Sequence, residues 1–280
     1  MHAIIELLRP HQWLKNMLVF APIILSGSLF LPGAFLAALG AFAILCVISS
    51  GAYAINDAMD AKADRKHPRK RFRPVARGAI PKGVAYAIGI TALGGGIGLA
   101  TLLGPAFTLV AIGVAALMLA YTLFFKNIAI LDLVAVATNY VLRALAGAVA
   151  IAVTPSTWLF VGVFFSTLLI ITLKRWGESA ETGSKARAVL RQMTEKDLYS
   201  LSIALTAMTL MVCGLYFAEA HRGKLLLLLP IASFCVIRYS FRSLNNPVAA
   251  QEPERFYRDR PLLIGIVTCT VIAAALLTIL

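Results

Sequence analysis

Apolar residues run along this chain in long blocks, separated by short polar segments. Nine blocks stand out: 17–31, 33–55, 83–103, 105–125, 129–152, 156–173, 199–218, 224–240 and 261–280. None alternates apolar and polar positions as a half-buried strand would, which argues against a membrane β-barrel. Most approach the roughly 20 apolar residues a helix needs to cross the hydrocarbon core. The pattern predicts an all-α integral membrane protein, with about nine transmembrane helices in one bundle and a single domain over residues 1–280. Block 17–31 is short and contains Pro22, so it is expected to kink or to continue the preceding helix. Residues 3–15 fit an amphipathic helix lying on the membrane surface.

Composition agrees with the pattern: of 280 residues, 60% are hydrophobic and only 14% charged, unlike a soluble domain of this length. Residues 1–16 contain Glu6, Arg9, Lys15 and two His and lead to no small-residue cleavage site, so they do not read as a secretory signal. Cys46, Cys213, Cys235 and Cys269 all fall in apolar blocks and read as small buried hydrophobes, with neither metal nor disulfide spacing. "GGGIG", residues 94–98, is expected to permit close helix packing.

The net charge of +13 is distributed unevenly. Segments 1–16, 56–82, 126–128, 174–198 and 241–260, with Arg238, hold 23 of the 26 Lys and Arg. The positive-inside rule then places these segments and the N-terminus in the cytoplasm and the C-terminus on the outer side of the inner membrane. Basic loops of this kind meet anionic lipid, so the membrane, not nucleic acid, is the expected partner of the charge.

Orientation does not account for the carboxylates. Of only 13 Asp and Glu in the chain, three (Asp57, Asp60 and Asp64) crowd into "NDAMDAKADRKHPRKRFRP". On a helix they lie within about 60° of one another. Like charges on one face repel, so a positive partner is expected. One candidate is the basic run Arg65, Lys66, Arg69, Lys70, Arg71 and Arg73. The other is a divalent cation, and an all-oxygen set suits Mg2+ or Mn2+. Mg2+ takes one or two carboxylates plus water and substrate phosphates, and neighbouring Arg and Lys are natural phosphate partners. The spacing therefore predicts a metal–diphosphate site, with a solvated charge cluster as the plain alternative. His67 stands without a second His and is not read as a ligand.

Further polar groups punctuate the same side. Tyr121 and Lys126 close one block, and Asp132, Asn139 and Arg143 form a stripe on the next. Ionisable groups at membrane depth usually face a cavity or a partner. Either this stripe walls the site, or an Asp132–Arg143 contact braces the bundle. Lys174, Arg175 and Glu178 in "KRWGE" either act in the site or anchor a helix end beside Trp176. In "RPHQWLKN", Trp13 reads as an interface anchor, and Lys15 and Asn16 are within reach of the site. Segment 241–260 reads as an ordinary mixed-charge loop.

The sequence Asn56-Asp57-x-x-Asp60-x-x-x-Asp64 resembles the first aspartate-rich motif of the UbiA superfamily of intramembrane prenyltransferases, whose fold is a nine-helix bundle. "RPHQWLKN", "NDAMDAKADRKHPRKRFRP", "YTLFFKNIAILD" and "KRWGE" are similar, in type and order, to one branch that uses a polyprenyl phosphate and phosphoribosyl diphosphate. The superfamily's second acidic motif has no counterpart here: Lys174-Arg175-Trp176-Gly177-Glu178 stands in its place, with no Asp before Asp197. A basic pair there suits an acceptor that is itself a lipid phosphate.

The resemblance implies Mg2+-dependent transfer of a phosphoribosyl group to a polyprenyl phosphate. Asn56, Asp57, Asp60 and Asp64 would hold the metal. Arg65, Lys70, Arg71, Arg73 and Lys126 would bind the donor phosphates, and Lys15, Lys174 and Arg175 the acceptor phosphate. Tyr121, Asp132 and Glu178 would contact ribose or orient the cations. Two other readings stay open: a prenyltransferase using a prenyl diphosphate, and a non-catalytic lipid-phosphate carrier.

Overall fold

Proline opens several of the long helices, where its missing N–H costs nothing and its fixed φ suits the first turn. The computed structural model describes residues 2–66, 70–154, 157–182 and 192–279. His67 and Arg69 lie outside them. The helices are α1 (His2–Leu8), α2 (Ala21–Leu25), α3 (Pro32–Asp64), α4 (Lys82–Ala100), α5 (Pro105–Leu123) and α6 (Leu131–Ala150). They continue as α7 (Thr157–Thr182), α8 (Glu195–Glu219), α9 (Leu229–Asn245), α10 (Pro247–Gln251) and α11 (Arg260–Ile279). No strand occurs among the described residues.

Among the described residues, seven helical segments are long and apolar enough to cross a membrane, against about nine expected, and residues 260–276 form a shorter apolar helix. The first predicted block is not among them, and it continues the preceding helical segment, as its Pro22 led one to expect. Residues 10–20 wind as a 3-10 helix, and α2 follows with Pro22 in its first turn. The surface helix expected over 3–15 is also interrupted: α1 stops before Arg9, which adopts left-handed φ 53°, ψ 60°. The following Pro10 explains the break, because proline excludes the α conformation from the residue before it.

Helix α3 decides where the acidic motif stands. Its 33 residues extend about 50 Å, against a hydrocarbon core of about 30 Å. The chain from Asn56 to Asp64 forms its last turns, so the helix carries the carboxylates past the apolar stretch.

The chain divides into two compact units. The first comprises Met1–Ile23, Leu29–Leu123 and Leu142–Val153; the second comprises Ile24–Ser28, Phe124–Val141 and Thr154–Leu280. In the first, Val19, Leu45, Ile48, Phe107, Ala111 and Val114 centre the core. Close approach of α3 to α4 needs glycine: a Cβ on Gly51 would lie 2.8 Å from the Gly89 carbonyl, and one on Gly96 would lie 2.6 Å from Ile48. Within "GGGIG", Gly96 alone makes such a contact, since Gly94, Gly95 and Gly98 face open space. In the second unit, Leu169, Leu173 and Leu205 join α7 to α8. There Trp176 is buried against Leu198 and Ala250 and is not an interface anchor.

Candidate active site

In the first unit the final turns of α3 present Asp57 and Asp64, which are 1% and 4% exposed. Carboxylates this deep need compensation, and two arginines supply it. Arg73 Nη1 donates to Asp64 Oδ2 at 2.7 Å and lies 3.3 Å from Asp57 Oδ1. Arg9 Nη2 donates to the same Asp57 oxygen. Asp57 Oδ2 is buried and accepts no hydrogen bond. Asn56 and Asp60 are half-buried on the same turns.

Arg9 is the functional residue that spacing alone did not single out. Its left-handed backbone turns the side chain onto α3, where the guanidinium also lies over the Tyr53 ring, 5.3 Å from its centroid. Burial pushes the guanidinium down from its usual range, and the Asp57 carboxylate opposes that shift. A non-glycine residue in this region of φ/ψ stores strain, which persists only where surrounding contacts hold it. The proline that follows it in "RPHQWLKN" signals a helix boundary, and neither the left-handed backbone nor the contact with Asp57 is legible there.

The remaining cations of the basic run do different things. Arg65 donates through Nε to the Ala76 carbonyl at 3.0 Å, tying the loop after α3. Arg71 is exposed and covers the Phe72 ring at 4.8 Å. Lys70 is half-buried in the single 3-10 turn Lys70–Phe72.

A second polar group in this unit centres on Asn16, which is fully buried. Arg143 Nε donates to Asn16 Oδ1 at 2.8 Å, Ser49 Oγ reaches the same oxygen at 3.4 Å, and Asn16 Nδ2 points to Cys46 Sγ at 3.3 Å. Trp13 Nε1 donates to Ser50 Oγ at 2.9 Å, so this side chain is fixed to α3. Lys15 and Tyr121 are half-buried.

The second unit holds a separate ion-pair network. Asp132 is fully buried and opens α6. Arg175 meets it with two nitrogens, Nε at 2.6 Å and Nη2 at 3.1 Å, while Nη1 reaches Glu178 at 3.1 Å. Asp132 goes to Arg175, and Arg143 goes to Asn16. Arg175, expected on an acceptor phosphate, donates to these two carboxylates. The segment ahead of Asp132 is shaped by Ile130 at left-handed φ 65° and by Gln192, which bridges Ala129 N–H and the Asn127 carbonyl. Lys126 and Lys174 are half-buried in this unit.

Among the described residues, no three His, Cys, Asp or Glu are grouped as a metal centre. The donor set present is two buried carboxylates on one arginine nitrogen, with one orphaned oxygen. That set fits Mg2+, which takes one or two carboxylates and completes its shell with water and phosphate oxygens.

Among the described residues, long apolar helices accompany a helix that ends in buried carboxylates clamped by arginine, the arrangement of a polytopic membrane protein with a polar site at a helix end. The chain belongs to the UbiA prenyltransferase family, whose sequence model matches residues 17–258. It is similar to the decaprenyl-phosphate phosphoribosyltransferase of Mycobacterium tuberculosis, at 31% identity over 92% of this chain and 89% of that protein. The protein of the same name from Corynebacterium glutamicum is 37% identical over 68% of this chain, and the match spans 59% of that relative's length. In fold, it is similar to a UbiA homolog from Archaeoglobus fulgidus bound to GPP and Mg2+, with TM-score 0.75, 19% identity and 99% coverage of both chains.

Proposed function

We propose that this protein transfers the phosphoribosyl group of 5-phosphoribosyl 1-diphosphate to a polyprenyl phosphate, with Mg2+, at the cytoplasmic face of the inner membrane. The C1–O bond to diphosphate breaks. A bond forms from C1 to an oxygen of the lipid phosphate, giving a phosphodiester, and diphosphate leaves with the bonding pair. A phosphate monoester is already nucleophilic, so the protein must orient it and neutralise charge more than remove a proton.

The observation that carries this reading is the Asp57–Asp64 pair, buried and joined by Arg73, with Asp57 Oδ2 unpartnered. Asp57 and Asp64 would hold Mg2+, with Asn56 and Asp60 in support, directly or through water; Mn2+ has the same oxygen preference. The bound ion would supply charge neutralisation on the leaving diphosphate. Arg9 and Arg73, which contact these carboxylates, would also serve the donor's phosphates. Lys70, Arg71, Arg65 and Lys126 are further donor-phosphate candidates, and Lys15, Lys174 and Arg175 remain acceptor-phosphate candidates. Tyr121 is assigned to the ribose. Asp132 and Glu178 orient the Arg175 guanidinium.

The test uses purified protein in nanodiscs with radiolabelled phosphoribosyl diphosphate, a polyprenyl phosphate and Mg2+. Label should enter the lipid phase, and should not do so with EDTA or in Asp57→Asn. The fold shared with a homolog bound to GPP and Mg2+ keeps one rival, a prenyl-diphosphate donor. Consumption of a prenyl diphosphate without label transfer would establish that rival instead.

A further inference from the structure

The C-terminal half of α9 carries three buried polar atoms without a hydrogen-bond partner: Tyr239 Oη, Arg242 Nη1 and Ser243 Oγ. They stand at i, i+3 and i+4, which puts them on one face of one helix. Buried donors are nearly always paired in folded proteins, and each exception calls for an explanation. Three on one helical turn share one.

The neighbouring arginines show the contrast. Arg175 gives its donors to Asp132 and Glu178. Arg238 places two nitrogens on Asp259, at 2.9 and 3.2 Å. Arg242 comes after Arg238 on the same carboxylate: its Nε lies 3.9 Å from Asp259 Oδ2, beyond hydrogen-bond distance, and its Nη1 meets nothing. Ser243 is fully buried. Tyr239 faces Ser243 closely enough for a weak interaction but without a well-formed hydrogen bond, and Arg242, Glu254 and Tyr140 of α6 are also about it. Apolar packing of α9 onto α7 and α8, through Val236, Leu169 and Leu205, fixes the face on which these groups sit.

Arginine can only donate, and both hydroxyls can donate. The missing partner is therefore an acceptor able to take several donors within one small volume. A tetrahedral oxyanion meets that requirement, and arginine with hydroxyl groups is a usual phosphate-binding set. We infer that Tyr239, Arg242 and Ser243 form a phosphate-binding site in the second unit, suited to a phosphate monoester such as a lipid headgroup. This rests on the proposed use of a lipid-phosphate acceptor, and gives that class of ligand a set of residues that the sequence motifs did not mark.

The test measures binding to donor-free, chelator-treated full-length protein in detergent, so that it is independent of transfer. The probes are farnesyl phosphate, farnesol and inorganic phosphate, read by thermal shift and by direct titration. Farnesyl phosphate should raise the melting temperature, and farnesol should not. Tyr239→Phe and Arg242→Gln should each weaken farnesyl phosphate by on the order of tenfold, the loss of one charge-assisted hydrogen bond, while Arg242→Lys should keep part of the affinity. Tyr239→Phe should leave the unliganded melting temperature unchanged or higher, because it deletes an unpaired buried hydroxyl. That result separates lost binding from lost folding. Protection by inorganic phosphate alone, lost in the same variants, would support the site and assign it to the free anion. Equal affinity in wild type and in both variants would overturn the inference. If wild-type protein still transferred label, the proposed function would survive that failure.

Discussion

The guanidinium of Arg9 is bound to the carboxylate of Asp57, 48 residues further along the chain. The pair ties the segment before the first 3-10 helix to the last turns of α3, at a point where Asp57 is 1% exposed. Removing one member of a buried pair leaves an uncompensated charge, which costs on the order of 3 kcal/mol. Arg9→Gln should therefore lower the melting temperature in detergent. Arg9→Gln combined with Asp57→Asn should recover stability but not transfer. Stability unchanged in the single variant would mean that Arg73 alone suffices for Asp57.

Asp57→Asn and Asp64→Asn should each reduce transfer by about a hundredfold or more, since metal-borne charge neutralisation amounts to several kcal/mol. Raising Mg2+ should not restore the rate. The same variants should weaken Mn2+ binding as read by electron paramagnetic resonance, without any substrate present. Normal Mn2+ binding in Asp64→Asn would remove that residue from the metal site.

Arg175→Lys preserves charge but not the planar fork that meets Asp132 with two nitrogens and Glu178 with a third. Both Arg175 and Asp132 are buried, so the substitution should destabilise the protein by about 2 kcal/mol. Thermal unfolding in detergent checks this. A neutral result would mean that the lysine reaches both carboxylates.

Asp259 accepts from Arg238 and also caps α11, taking the Leu262 N–H at 3.0 Å. The hydrogen bonds from Arg238 hold its carboxyl below the usual carboxylate range. A depressed folded pKa stabilises the protein fully above the ordinary carboxylate value. That stabilisation disappears as pH falls through the folded value. Wild type should therefore exceed Arg238→Gln in melting temperature at neutral pH, and the gap should close below pH of about 4. A gap that widened on acidification would contradict the assignment.

Gly51→Ala should separate α3 from α4, because its Cβ would lie 2.8 Å from the Gly89 carbonyl. Overpacking of this kind costs about 1–3 kcal/mol. Gly94→Ala, facing open space, should be neutral or slightly stabilising, given alanine's better helix propensity. Comparing the two melting temperatures tests whether the contact, and not glycine content, holds the helices together.

Much of the architecture was legible in the sequence because membrane insertion is read from local composition. A run of some 20 apolar residues forms a helix wherever it lies, since its backbone can be satisfied only internally. The acidic motif was legible for a similar reason, because helical periodicity alone puts Asp57 and Asp64 on one face. Block 17–31 continues from the 3-10 segment into a short helix around Pro22, as the proline led one to expect. "KRWGE" displayed its charges, but neither the burial of Trp176 nor the pairing of Arg175 with Asp132 was legible in it.

The sequence by itself determined the helices, their apolar faces, and the location of charge along the chain, because each depends on residues within a turn or two. Tertiary structure alone decided the partners. Which arginine meets Asp57, that Arg175 meets Asp132 with two nitrogens, and which buried donors on α9 are left unpaired all depend on side chains brought together from distant positions. Long-range pairing of charges follows from packing geometry, and no local pattern encodes it.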